Sequence, residues 1–219
     1  MSQSAKRPVC SHCLRPQRTC ICRLSKPIVS AIEVLILQHP LETKHAKGSA
    51  RLLHMSLPNS RLRTGEIFNE QELESLLYAP FSSGAQRKHA ILLYPDTSDD
   101  VGLAQPSAAI DLTGLEPSEV RLVILDGTWR KSRKMLYTNP LLQSLPRLAL
   151  CDTPESKYLI RKVHGAHQLS TLEATCYAMM KLERDDAKYA PLLDAFNNFV
   201  SQQIAYRDAN SVKKLQLIF

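Results

Sequence analysis

The stretch LVILDGTWRKSRKM, residues 122–135, brings an acid, an indole and a set of cations to one place. Its apolar half stops at Asp126, passes Gly127 and Thr128, and meets Trp129, the only tryptophan in 219 residues. Arg130, Lys131, Arg133 and Lys134 follow at once. A carboxylate can accept a proton, an indole offers a flat face to a nucleobase, and guanidinium and ammonium groups pair with phosphates. A plainer reading makes Asp126 a helix N-cap, Trp129 a core anchor and the cations a solvated helix face. That reading explains each residue singly, but not their meeting where a buried strand ends.

A second stretch, SKYLIRKVHGAHQLSTLEA at 156–174, repeats the pairing of aromatic and cation in Tyr158, Arg161 and Lys162. Its later part places Ser170, Thr171 and Glu173 at a helix N-terminus, where N–H groups and the dipole favour an anion such as a carboxylate. The Ser170-to-Glu173 spacing is equally that of a capping box. His164 and His167 flank Gly165-Ala166 and read as loop residues. His39, His45 and His54 lie near one another but lack a helical H-x3-H pair, so they are set aside as metal ligands.

The N-terminus carries Cys10-x2-Cys13-x6-Cys20-x1-Cys22. Two thiol pairs at short range can close a tetrahedral Zn–S4 site and order a segment too small to fold unaided. The one-residue gap between Cys20 and Cys22 departs from common zinc ribbons, and His12 is a substitute ligand. A complete S4 shell leaves no open position, so the role is structural. The competing reading is a set of free or transiently oxidised thiols. Cys151 and Cys176 read as core residues.

Four apolar runs must position these groups: 32–37, 89–95, 120–126 and 147–151, each closed by turn signals. Helical spacing covers 46–57, despite Gly48, then 170–183, and 191–205 after Pro191, while a polar loop fills 96–118. Strands alternating with helices argue for an α/β fold with a mainly parallel sheet and flanking helices. Ligands of such sheets bind beyond the carboxyl ends of the strands. His39, Pro95, Asp126 and Asp152 all fall at those ends.

The chain suffices for one sizeable core and a small appendage. The expected division is a cysteine-rich segment at 1–26, a catalytic domain at 27–205 and a tail at 206–219. Twenty-eight Lys+Arg against 21 Asp+Glu leave a net charge of +7 and a pI near 9.2, which suits a polyanionic partner. No stretch is long and apolar enough for a membrane span, and MSQSAKRPVC has no apolar signal core, so the expected compartment is the cytoplasm. No G-x-G-x-x-G follows a strand, which argues against a Rossmann-type cofactor site.

Asp126-Gly127-Thr128-Trp129 resembles the D-x-T-W signature of the DTW-domain proteins. The match continues, in order, through His39-Pro40-Leu41-Glu42, Tyr158 with Arg161, and Leu169-Ser170-Thr171-Leu172-Glu173-Ala174. The cysteine cluster resembles the metal knuckle of bacterial members. The resemblance implies a SPOUT-like α/β fold that can hold a C-terminal knot, S-adenosylmethionine as donor substrate, structural zinc and tRNA as partner. The implied reaction moves the 3-amino-3-carboxypropyl group to N3 of a tRNA uridine and releases methylthioadenosine. Asp126 is then the expected catalytic residue. Pro95, Thr128, Trp129, Ser170, Thr171 and Glu173 are expected around the donor, with Trp129 packing the pocket wall or stacking on the base. Arg130, Lys131, Arg133, Lys134, Tyr158 and Arg161 are expected on RNA, and Cys10, Cys13, Cys20 and Cys22 on zinc. No membrane and no obligatory protein partner is expected. The alternatives are a SPOUT-like S-adenosylmethionine-dependent RNA methyltransferase and a non-catalytic zinc-knuckle RNA-binding protein.

Overall fold

Two aliphatic runs form the centre of the sheet in the computed structural model, which describes residues 8–82, 86–96, 114–150 and 169–215. β1 (Glu33–Gln38) and β4 (Val120–Asp126) are buried along their whole length, as parallel strands covered on both faces must be. β2 (Ser60–Thr64) pairs with β1, β3 (His89–Leu93) pairs with β4, and the short β5 (Arg147–Leu148) pairs with β3. The order is β2-β1-β4-β3-β5, and all neighbours are parallel.

Strand side chains alternate between the two faces. Val34, Ile36, Leu122 and Ile124 point to one face, where they pack with α1 (Ala50–Ser56), α5 (Thr171–Glu183) and α6 (Asp186–Leu215). Leu35, Leu37, Val123 and Leu125 point to the other, against α2 (Glu70–Tyr78), α3 (Trp129–Thr138) and α4 (Pro140–Gln143). The cysteine-rich segment joins the first layer, through buried Cys13 and Ile21.

From β1 the chain runs through α1 to β2 on one side. From β4 it runs through α3 and α4, past β3, to β5 on the other. The two outgoing connections diverge, so a crevice opens beyond the carboxyl ends of β1 and β4, where Gln38 stands in register with Asp126. At the opposite ends of the same strands, buried Arg121 bonds the Glu33 carboxylate and the carbonyls of Leu76 (2.6 Å) and Ala79 (2.6 Å), tying down the end of α2.

Several elements differ from the sequence expectations. The 46–57 helix begins only at Ala50, because Gly48 closes a turn onto the His45 carbonyl (3.0 Å) instead of continuing a helix. The last helix starts before Pro191, at Asp186, and runs on past residue 205 to Leu215. β2 was not anticipated: SRLRT has little apolar content, and pairing with β1 recruits it. The fourth run is a strand only at Arg147–Leu148. Cys151, Asp152, Tyr158, Arg161, Lys162, His164 and His167 lie outside the described residues. No described helix is long and apolar enough to cross a membrane.

Candidate active site and metal centre

Asp126 closes β4 and is only 5% exposed. Gln38 Nε2 at the end of β1 donates to its Oδ2 (2.8 Å), and Thr171 Oγ1 in the first turn of α5 donates to its Oδ1 (2.7 Å). The carboxylate therefore ties two central strands to one helix. The N–H of His39 prolongs the ladder onto the Asp126 carbonyl (2.9 Å). Gly127 permits the close packing that follows: a Cβ there would lie 3.1 Å from the Lys131 Cβ and 3.6 Å from the His39 Cβ.

Asp126 and Gly127 form one wall of a narrow polar pocket whose other walls are the 42–49 loop and Ser170-Thr171, with a cavity volume of about 20 Å³. Ser170 and Glu173 are both buried and bonded to each other. The Ser170 hydroxyl accepts from the Glu173 N–H (3.1 Å), and Glu173 Oε2 accepts from the Ser170 N–H (2.8 Å). The capping box is thus real. Ser170 and Thr171 border the pocket, whereas Glu173 is not in its lining.

Pro95, Thr128 and Trp129 are likewise absent from that lining. Thr128 is the N-cap residue of α3. Trp129 is no core anchor: it is 57% exposed and stacked on Tyr94 with ring centres 5.1 Å apart and planes 13° from parallel. Tyr94 follows β3, and exposed Pro95 comes next. The indole is therefore a supported surface platform beside the Asp126 strand end.

The cationic stripe divides in two. Lys131 pairs with buried Glu42 (2.7 Å), and Lys134 pairs with Glu66 (2.7 Å). Glu66 also meets His39 Nε2 (2.7 Å). Because His39 Nδ1 accepts from the Leu41 N–H (3.2 Å), the ring proton sits on Nε2 and is donated to Glu66. Hydrogen bonds from Lys134 first, then His39, hold the Glu66 carboxyl below its usual range. Arg130 and Arg133 are exposed, and the Arg133 guanidinium lies 5.4 Å from the Tyr137 ring centre.

Sequence reasoning missed Gln38, Glu66 and Tyr94. Gln38 and Tyr94 did carry a signal, since each closes an otherwise apolar strand run with a hydrogen-bonding side chain. Glu66 follows the unanticipated β2, so nothing local marked it.

Cys10, Cys13, Cys20 and Cys22 bring their four sulfurs within 4.8 Å of one another, with Cys10–Cys22 at 3.6 Å and Cys13–Cys20 at 3.7 Å. A tetrahedron with Zn–S bonds of about 2.3 Å has edges of about 3.8 Å, so the donor set fits such an ion. The one-residue gap is explained by Ile21, which is fully buried in the core and leaves its two neighbours to face the cluster. His12 is exposed and outside the set. N–H groups of Cys13 and His12 lower the Cys10 thiol, while burial raises that of its neighbour Cys22. Burial pushes the Cys176 thiol up, in keeping with a core role. His39, His45 and His54 form no metal-holding group among the described residues.

Comparison with known proteins places these residues in a family. The DTW domain matches residues 7–204. A macaque (Macaca fascicularis) protein named tRNA-uridine aminocarboxypropyltransferase 2 is 28% identical over 205 residues, covering 92% of this chain and 65% of its own length. A Drosophila melanogaster protein of the same name is 27% identical, covering 81% of this chain and 68% of its own length. An Arabidopsis thaliana protein named tRNA-uridine aminocarboxypropyltransferase A is 24% identical, covering 82% of this chain and 74% of its own length. The chain thus spans just under two thirds of the macaque relative. No solved structure matches. With its signature turn at the carboxyl end of β4 and a match over most of its length, the chain belongs to the DTW-domain family.

Proposed function

We propose that the chain is a tRNA-uridine aminocarboxypropyltransferase acting in the cytoplasm, with S-adenosylmethionine as donor. The observation that carries this reading is the convergence of Gln38, Asp126 and Thr171 at the β1/β4 crevice, between a pocket and an aromatic platform, in a DTW-domain chain. The names of the relatives supply the reaction class.

The sulfonium of the donor activates each carbon attached to it, so the carbon presented in line to the acceptor is the one transferred. Uridine N3 forms a bond to the γ-carbon of the aminocarboxypropyl group. The S–C bond breaks with its electron pair going to sulfur, which leaves as neutral methylthioadenosine. The N3 proton must leave, and Asp126, whose carboxylate accepts from Gln38 and Thr171, takes that proton or orients N3. The amino-acid end of the donor lies in the pocket, against Ser170, Thr171 and the α5 N-terminus, with Thr128 and Pro95 further along the strand ends. Glu173 acts only through the cap. Trp129 offers its open face to the base.

Arg130 and Arg133 meet tRNA phosphates, joined by Tyr158 and Arg161, while Lys131 and Lys134 contribute to the field from within their ion pairs. The four cysteines hold structural zinc. Residues 1–26 brace a SPOUT-like catalytic unit over 27–205.

The test is nucleoside mass analysis of unmodified tRNA incubated with the protein and S-adenosylmethionine. An aminocarboxypropyl increment on uridine with methylthioadenosine released is the expected result. A methyl increment with S-adenosylhomocysteine would make the chain a methyltransferase. No increment on a competent tRNA that is nonetheless bound would make it a binding module.

A further inference from the structure

Arg15 belongs to the metal knuckle by its backbone and to the pocket wall by its side chain. The Cys10 N–H donates to the Arg15 carbonyl (2.8 Å), and the Leu14 N–H to the Cys10 carbonyl (2.9 Å), closing the turn that holds Cys10 and Cys13. Leu14 takes a left-handed conformation, φ 57°, so its side chain faces solvent while that of Arg15 turns inward, 9% exposed. The guanidinium lies 5.0 Å from the Phe199 ring centre in α6 and donates to the carbonyl of Ala46.

Ala46 sits in the middle of the 42–49 loop, whose residues Glu42, His45, Lys47, Gly48 and Ser49 wall the pocket beside Asp126. Within itself the loop makes successive tight turns, His45 N–H to Glu42 (3.0 Å) and Gly48 N–H to His45 (3.0 Å), and the His45 ring lies 4.0 Å from the Glu42 carboxylate. Its ends are tied by the Glu42–Lys131 ion pair and by the Leu172 N–H on the Ser49 hydroxyl (3.4 Å). Arg15 supplies a charge-assisted bond between those two ends, from a guanidinium that is itself buried against Phe199 to a carbonyl on the exposed crest of the loop.

We propose that Arg15 is a positioning residue that carries the order of the metal-bound knuckle to the pocket wall, so that the four-cysteine centre sets affinity for the donor without touching it. The inference rests on the reading of this pocket as the donor site. A wall ordered beforehand adds no ordering cost at binding, whereas a loosened wall must order when the donor arrives and reduces affinity by the competent fraction.

Arg15→Met keeps an unbranched apolar side chain against Phe199 and removes the donor to Ala46. It is compared with the wild-type chain for bound zinc, unfolding midpoint, S-adenosylmethionine binding by calorimetry, tRNA binding, and amide exchange of residues 43–49. The expected result is retained zinc and midpoint, unchanged tRNA affinity, faster exchange at 43–49, and donor binding weaker by about tenfold, the scale of one such bond. Arg15→Lys, with one donor restored, should recover part of that loss. Wild-type exchange at 43–49 and wild-type donor affinity in folded, zinc-loaded Arg15→Met would overturn the proposal. If Arg15→Met fails to fold, Arg15→Leu, which also removes the donor, is read by the same measurements, and the same unchanged pair of results overturns it. If the wild-type chain binds no S-adenosylmethionine, the donor-site reading falls and the proposal with it, while exchange at 43–49 separately reports whether Arg15 orders the loop.

Discussion

Asp126 shows how a single carboxylate can be both structural and chemical. Its two oxygens take the Gln38 amide and the Thr171 hydroxyl, so removing the side chain would strand two donors. Asn is therefore the informative replacement, since it keeps the shape and removes the charge. Asp126→Asn should lower the transfer rate by about 10²–10⁴-fold, the usual span for a positioned acid or base, with tRNA affinity preserved. Single-turnover kinetics beside a filter-binding titration would check this, and near-normal turnover would remove Asp126 from the chemistry. Trp129 offers a second reading at the same scale. As the chain's only tryptophan, stacked on Tyr94 and 57% exposed, it reports its own surroundings by fluorescence. Binding of tRNA should quench that emission, and Tyr94→Leu should weaken the effect by removing the ring that supports the indole. An emission unchanged at saturating tRNA would place the base elsewhere.

At the scale of elements, α3 and α5 bring their charges to the strand ends in different ways. The first turn of α5 satisfies itself through Ser170 and Glu173 and leaves Thr171 to reach Asp126. On α3, cations that look alike in sequence have different partners. Lys131 neutralises Glu42, whose side chain is 7% exposed, while Arg130 and Arg133 face outward. Replacing Arg130 and Arg133 together by Ala should weaken tRNA binding and flatten its log–log salt dependence by about two phosphate contacts, with little change in stability. Lys131→Ala should instead act mainly on stability, at a cost of roughly 1–3 kcal/mol, because it leaves the buried Glu42 carboxylate without its partner. Salt titrations of tRNA binding and denaturant unfolding of both variants separate the two roles. An unchanged slope in the double variant would move the RNA face off this helix.

For the whole molecule, β4 links two ends with opposite duties. At its start Arg121 is fully buried against Glu33, the Leu76 and Ala79 carbonyls and the Phe81 ring, 4.0 Å from its guanidinium carbon. At its finish Asp126 borders the pocket. Breaking a buried pair is costly, and Lys88 Nζ, 3.8 Å from the Glu33 carboxylate, offsets part of the loss, so Arg121→Ala should destabilise the fold by roughly 3 kcal/mol. Because that end of the strand touches nothing in the pocket, the KM values of the protein that remains folded should not move. Guanidinium unfolding and steady-state kinetics below the transition would test both statements, and a raised KM would mean the two ends of the strand are coupled. The four-cysteine segment adds a third station to this architecture, reaching the 42–49 loop through Arg15.

Much of this was legible locally. The aliphatic stretches 34–37 and 122–125, short, rich in branched residues and closed by turn signals, read as strands buried on both faces. The Ser170–Glu173 spacing marks a helix start, and four clustered thiols state their own chemistry. These features depend on neighbours within a few residues, which is the range over which a sequence constrains its backbone. Tertiary structure decided what depends on distant partners. SRLRT became β2 because β1 offered an edge, and Gln38 met Asp126 because β1 and β4 lie in register across 88 residues of chain. Glu42 and Glu66 took two of the four cations, and the lone tryptophan stayed at the surface because Tyr94 came up beneath it. Composition and periodicity report whether a side chain can be buried or charged. Which partner it meets is set by how the sheet orders its strands, and that order is a property of the folded chain alone.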